Sequence, residues 1–292
     1  MVWLKLWVQP LPVELSSLLF WSLSFLLVAT PIRLYKTADV NTQLFNIMIE
    51  KKLERVGAQE GYDLWSETYD STPNPVVTMD SRHTIKLLAP EGGELILDAG
   101  CGTGRNLRPL LLAGSTAVGI DFSFRMLQVA RRAIDKAPVA LADLQASLPF
   151  ENGAFDAVLC ALIGEHLSDL RAVFDEVHRV LRPGARLVFS VYHPEMSAAG
   201  IEANFEREGT EYRLGAIHYS VAEHVRLLEE GGFEGIQVHE FRGDEELINA
   251  VPSAAKYLDC PVLLVVTGTK WSSAGDLTLA SPNKSGGAPQ AP

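Results

Sequence analysis

The chain has 292 residues, 47% of them hydrophobic, and a formal net charge of −11. That length holds one large α/β domain or two small ones around a sizeable core. The negative field repels a phosphate-rich polymer, and no Lys/Arg run interleaved with aromatics offers a local exception, so nucleic acid is excluded as a partner.

Residues 1–47 differ from the rest. Between Glu14 and Arg33 lie 18 uncharged residues, including Leu18, Leu19, Phe20, Trp21, Phe25 and Leu26. This is the lower edge of a membrane span, and Ser16, Ser17, Ser22 and Ser24 weaken it. Three readings stand: a membrane-associating segment, a mis-called start upstream of Met48, or a cleaved signal that lacks a convincing cleavage site. The run from Met48 through Ile49, Glu50, Lys51, Lys52, Leu53 and Glu54 to Arg55 reads as a charged helix start. A short helical stretch follows with Tyr62, Leu64, Trp65 and Tyr69, an aromatic stripe whose bland reading is packing.

From there the pattern alternates. Apolar runs of strand length fall at 95–99, 117–120, 139–141, 157–162, 187–192, 236–238 and 262–266. Helical spacing follows Gly104 (Leu107, Leu110, Leu111), Ser123 (Met126, Val129, Ala130, Ala133) and Ser168 (Leu170, Val173, Phe174, Val177, Leu181). The last of these stops before Pro183-Gly184. Ser220 and Glu223 match a capping box that opens a further helix, with Val221, Val225 and Leu228 on its apolar side. Residues 194–219 break the alternation, and 205–214 read as a hairpin turning at Glu208-Gly209. Alternating strands and helices predict an α/β fold with a mostly parallel sheet covered on both faces. Residues 271–292, rich in Ser, Gly, Pro and Ala, read as a disordered tail. Cys101, Cys160 and Cys260 show no CxxC spacing, so neither a disulfide framework nor a metal site is expected, which suits a cytoplasmic compartment.

The first strand runs into Asp98-Ala99-Gly100-Cys101-Gly102-Thr103-Gly104. Alternate glycines just before a helix let the backbone turn tightly and approach a ligand without Cβ interference. The bland reading is a strand–helix turn with no ligand, and dinucleotide enzymes use a related device. Asp98, Asp121 and Asp143 end three successive strands, around the crevice where open α/β sheets bind ligands. Asp121 is placed to accept hydrogen bonds from ribose hydroxyls.

These residues resemble the nucleotide-binding motif of class I S-adenosylmethionine-dependent methyltransferases. Leu148-Pro149-Phe150 with Phe155-Asp156-Ala157-Val158 is similar to their fourth-strand segment. Arg179-Val180-Leu181-Arg182-Pro183-Gly184 with Leu187-Val188-Phe189 resembles the fifth-strand signature. The likeness is greatest to the type 11 methyltransferase-domain group, over about residues 62–270. It implies a Rossmann-like sheet of seven strands, the last, 262–266, antiparallel. It also implies a methyltransferase domain within 48–270, an acceptor-covering insert at about 194–219, and S-adenosylmethionine as cofactor. By the same resemblance Gly100, Cys101 and Gly102 take the methionine part, with Asp98 near its ammonium group. Asp121 takes the ribose; Phe122 and Met126 pack beside the adenine, and Asp143 and Leu144 bond it. Ala161 lies near the sulfonium, and Tyr69 closes over the cofactor as a lid.

The expected function is methyl transfer to a small-molecule acceptor. The alternatives are a nicotinamide-dependent oxidoreductase and a non-catalytic, membrane-tethered binding module. A general base is needed only for an acceptor protonated at neutral pH. His193, expected to point toward the crevice after the fifth strand, and His166, after the fourth, are the candidates. Each also has a plain structural reading, as a turn residue before Pro194 and as a loop-orienting residue.

Overall fold

Strands β2 (Leu95–Ala99), β3 (Thr116–Asp121), β4 (Val139–Leu141), β5 (Phe155–Ala161), β6 (Leu181–Tyr192), β9 (Phe233–Arg242) and β10 (Pro261–Lys270) form one sheet. Its order is β4-β3-β2-β5-β6-β10-β9 in the computed structural model, which describes residues 52–135 and 138–272. β10 runs antiparallel to both its neighbours, and every other pairing in the sheet is parallel. The expected hydrophobic segment 1–47 and residues 273–292 of the expected tail lie outside the described residues. Among the described residues no helix is long and apolar enough to cross a membrane.

Period-two alternation divides the core. From β2, β5, β6 and β10, Leu97, Val158, Cys160, Leu187, Phe189 and Leu264 face one side. There they meet Val173, Phe174 and Val177 of α5 (Leu170–Val180) and Leu228 of α7 (Val221–Glu230). Ile96, Ala157, Leu159, Val188, Leu263 and Val265 face the other side. They pack with α2 (Pro75–Leu88), α3 (Leu107–Leu112) and α4 (Phe124–Ala133) through Met79, Leu88, Leu107, Leu110 and Leu127. A sheet buried on both faces in this way must be built from near-continuous apolar strands. The expected seven-stranded, mostly parallel sheet is the one observed.

Local signals account for several boundaries. Ser123 caps α4 by accepting from the Met126 N–H at 3.1 Å. Ser220 and Glu223 form the capping box at the start of α7, with both reciprocal bonds made. β7 (Asn204–Arg207) and β8 (Thr210–Arg213) turn at Glu208 and Gly209, with φ of 52° and 77°, the signature of a type I′ hairpin.

Four readings require correction. The charged run after Met48 does not open a helix over its described part: β1 (Lys52–Arg55) is a strand paired in parallel with β8. Its context supplies the hairpin partner, and Arg55 and Arg213 both reach Glu202. α2 was absent from the predicted elements, although Asn74 accepts from the N–H groups of Val76 and Val77 and Pro75 holds the first helical position. α5 is capped by Asp169, whose carboxylate accepts from Ala172, one residue later than Ser168. β6 begins at Leu181 and carries Pro183-Gly184 within it; the register shift between Phe155 and Ala157 on β5 takes up the irregularity.

Gly164, just after β5, leaves no room for a side chain: a Cβ there would clash with Val191 and lie 2.6 Å from Phe189 Cζ. Gly164→Ala is expected to cost about 1–3 kcal/mol by overpacking, measured as a lower urea midpoint at unchanged m-value.

Candidate functional site

The loops at the carboxyl ends of β2, β3, β4 and β5 line a partly open cavity. Its lining includes Tyr69, Gly100, Cys101, Gly102, Asp121, Phe122, Met126, Asp143, Leu144, Ala161 and His166, all singled out in the sequence. Of the cofactor set, only Asp98 is absent from the lining.

The glycine turn is strained in the way its residues permit. Gly100, Gly102 and Gly104 have φ of 82°, 54° and 84°, where a Cβ is disfavoured. A Cβ on Gly100 would also lie 2.5 Å from Ile163 Cγ2. Gly102 meets nothing within 4 Å, so its backbone faces open space in the cavity.

Asp98 is fully buried beneath this turn, and neither carboxyl oxygen has a hydrogen-bond partner. Burial pushes its carboxyl up to about 7, against the pull of the Arg105 guanidinium. Arg105 itself is held by Asp80 on α2 at 2.7 Å, and Asp80 also accepts from Ser190 and Thr84. Asp121 is 8% exposed. Its two oxygens accept from Gly102 N–H at 2.9 Å and Ser123 N–H at 2.8 Å. Burial raises its carboxyl to about 6, with those backbone bonds opposing. Asp121 therefore holds the glycine turn as well as facing the cavity. Each oxygen keeps further acceptor capacity. Asp143 is exposed and accepts from the Gln145 N–H.

The stretch before the sheet is pinned onto this rim. Helix α1 (Ala58–Trp65) donates from Gln59 to the Phe122 carbonyl, and its Asp63 accepts from Ser123 Oγ at 2.6 Å. Asp70, in the 3₁₀ turn Tyr69–Ser71, accepts from Thr103 Oγ1 of the glycine turn at 2.7 Å. Tyr62 and Tyr69 are thereby placed over the cavity, their rings edge-to-face at 6.1 Å. Behind them Trp65 stacks on Phe205 of the hairpin at 5.0 Å, and Phe205 on Tyr212 at 5.1 Å. The 194–219 insert thus buttresses the aromatic wall through Phe205 and Tyr212 without lining the cavity itself.

The two histidines part company. His166 lines the cavity, and its Nε2 lies 3.0 Å from the Tyr62 hydroxyl. Burial lowers it to about 4, so it is a neutral imidazole at physiological pH and a weak base. His193 is not in the cavity. It is 1% exposed and caps α6 (Pro194–Ala198), accepting from Glu195 N–H through Nδ1. With Nδ1 an acceptor, Nε2 carries the hydrogen and faces Glu240 at 2.9 Å. Pro194 starts the short helix immediately, which turns the ring away from the crevice toward β9.

Sequence reasoning missed Arg105, Leu162 and Glu165. Leu162 follows β5 with φ of 57°, costly for a branched side chain, and is held there by its N–H to the Ser190 carbonyl at 2.8 Å.

Residues 97–189 match the family model described as a methyltransferase domain. A demethylmenaquinone methyltransferase of Clavibacter sepedonicus is 35% identical over 148 residues, 48% of this chain and 59% of that protein. The corresponding Tropheryma whipplei (strain Twist) protein is 32% identical over 140 residues, 46% of this chain and 59% of its own length. The chain thus spans about three-fifths of these curated relatives. An S-adenosylmethionine-dependent methyltransferase from Mesorhizobium loti, 28% identical, superposes with a TM-score of 0.54, covering 64% of this chain and 95% of its own. With the strand order and the Asp98–Gly104 turn both in place, residues 97–189 match a methyltransferase domain, and the fold is similar to that of S-adenosylmethionine-dependent methyltransferases.

Proposed function

We propose that this protein binds S-adenosylmethionine in the cavity above the glycine turn and transfers its methyl group to a small-molecule acceptor. The observation that carries this reading is Asp98: a fully buried carboxyl group with two orphaned oxygens, beneath a glycine turn open to a cavity. An unpaired buried charge is costly, and a cationic ligand group nearby offsets that cost. The donor set fits the cofactor: carboxylates for an ammonium and two hydroxyls, bare backbone for close approach, and apolar Phe122, Met126 and Leu144 for a flat ring.

When bound, the cofactor supplies an electrophilic methyl carbon on a sulfonium. The chain's own part is positioning. Asp121 holds the ribose, and Asp143 with the Leu144 backbone holds the adenine edge. Ala161, small and at the end of β5, leaves room beside the sulfonium. Tyr62 and Tyr69 close the cavity from above and exclude water, and neutral His166 fixes the Tyr62 hydroxyl. Holding donor and acceptor in line supplies roughly 7–11 kcal/mol of the barrier, so no metal is called for. Relatives named as a demethylmenaquinone methyltransferase and a ubiquinone biosynthesis O-methyltransferase support a small-molecule acceptor.

Two outcomes test the reading. Asp121→Asn is expected to weaken S-adenosylhomocysteine binding by about 100-fold, from loss of charged hydrogen bonds, while far-UV circular dichroism is unchanged. Calorimetry showing parental affinity would refute the assignment, and NAD(H) in the same titration is expected to give no heat.

Asp98 gives a pH signature. Its folded value, about 7, lies above the unfolded carboxylate value of about 3.9. Between these the folded chain binds a proton that the unfolded chain releases, so ligand-free stability falls as pH rises through the window. In Asp98→Asn the stability lost between about pH 5 and about pH 8 should shrink by roughly 1–3 kcal/mol, read from urea unfolding at both pH values.

A further inference from the structure

Arg105 is the charge in the cavity wall that the cofactor reading leaves unused. Its side chain is 22% exposed, and apart from neutral His166 it is the only basic residue lining the cavity among the described residues. A site that holds only a sulfonium and an ammonium is weakened by a guanidinium, because like charges repel. The position of Arg105 is fixed by α2: its Nη2 donates to Asp80 at 2.7 Å and its Nη1 to Ser81 at 2.8 Å. Helix α2 packs on β5, β6 and β10, and Asp80 also accepts from Ser190 of β6. The guanidinium is thereby drawn to the β5–β6 side of the glycine turn, away from Asp121 and Asp143 at the ends of β3 and β4.

The turn itself has few donors left for an anion. The N–H groups of Gly100 and Cys101 both donate to the Ile120 carbonyl, that of Gly102 to Asp121 Oδ2, and that of Gly104 to the Cys101 carbonyl. Thr103 Oγ1 donates to Asp70. The free donors sit on the next two side chains. After Asp80 and Ser81 are served, the planar fork of Arg105 still has N–H groups without a partner. Asn106 is 6% exposed and lines the same cavity. Its side-chain amide neither caps α3 nor meets another hydrogen-bond partner among the described residues. A buried amide left unpaired is costly, and a ligand oxygen offsets that cost.

We propose that Arg105 and Asn106 bind the carboxylate of the cofactor, so that the site selects a ligand with a complete α-amino acid end. This rests on the methyltransferase reading and deepens it. The ammonium and carboxylate of such a group hang from one carbon. Asp98, which opens the glycine turn, and Arg105, which follows it, offer one partner to each. A guanidinium and a carboxylate are a planar, charge-assisted match, and the Asn106 amide adds a neutral donor. Asp80 is a positioning residue in this scheme. Fully buried, it holds the guanidinium through Oδ2 while Thr84 and Ser190 satisfy Oδ1. The positive charges of the cofactor then arrive with an anion attached, which removes the repulsion that Arg105 alone imposes.

The test uses the full chain and two probes, S-adenosylhomocysteine and S-adenosyl-3-thiopropylamine, which keeps the amine and lacks the carboxylate. Calorimetry on the parent is expected to show S-adenosylhomocysteine binding about tenfold or more tightly than the amine. In Arg105→Gln the affinity for S-adenosylhomocysteine should fall about tenfold or more, and that for the amine should stay within about threefold. Asn106→Ala should act on S-adenosylhomocysteine alone, by a smaller factor. A role confined to the scaffold would weaken both probes alike. The proposal is overturned if the parent binds both equally, or if either variant treats the two probes alike. Should Arg105→Gln fail to fold, it is combined with Asp80→Asn, which leaves no buried charge unpaired, and the same comparison decides. Should the parent bind neither probe, the cofactor reading falls and this one with it; binding of both without preference sinks this proposal alone.

Discussion

Carboxyl groups buried without a cation set the character of the site. Asp98, Asp121 and Glu165 lie at or just beyond the carboxyl ends of β2, β3 and β5, each at most 8% exposed, and burial raises all three above the usual carboxylate range. A fold selected for stability alone would not collect such groups on one rim, because each pays desolvation without a compensating ion pair. The cost is tolerable because the surrounding sheet is apolar on both faces and over-determines the loop positions. Consistent with this, strain collects at the same rim: three left-handed glycines in one turn and a left-handed Leu162 opposite it.

Arg105 relieves Asp98 only in part. Arg105 bonds to Asp80, and Asp80 is fully buried, bridging α2 to β6 through Ser190. This network places a positive charge near Asp98 while spending its hydrogen bonds elsewhere. Asp98 is thereby left partly stabilised and still open to a second cation. Removing either partner of Arg105–Asp80 would leave an uncompensated charge under the glycine turn, so the pair acts as scaffold for the site as much as for the fold.

What was legible in the sequence follows from which forces are local. The sheet, its glycine turn and the acids at its rim are written in contiguous patterns: apolar runs, alternate glycines, and Asp98, Asp121 and Asp143 at strand ends. Ser123, the Ser220–Glu223 capping box and the Glu208-Gly209 turn are equally local, since each satisfies backbone groups within a few residues. β1 was illegible because its conformation depends on β8, more than 150 residues away, overriding a charged helix-like run. His193 misled because strand direction points it at the crevice, while Pro194 and Glu240 turn it aside. Glu165 was passed over because a lone acid in a loop ordinarily reaches water, and only the tertiary structure shows that this one does not.

The acidic rim also bears on turnover in the proposed reaction. A charged site grips a cation more tightly than its neutral counterpart, by an amount that grows as water is excluded. Methyl transfer removes the positive charge from the cofactor, because the sulfonium becomes a thioether, while Asp98 and Asp121 stay where the sheet holds them. The ammonium of the methionine part and the ribose contacts remain, but the Coulombic share of the grip on sulfur is lost at the moment the product forms. The stretch before the sheet is joined to the rim by side-chain bonds, among them Gln59 to the Phe122 carbonyl, Asp63 to Ser123 and Asp70 to Thr103, each replaceable by water. Binding the charged form tightly and the neutral form less so requires no moving part beyond these, since the chemistry itself switches the electrostatics.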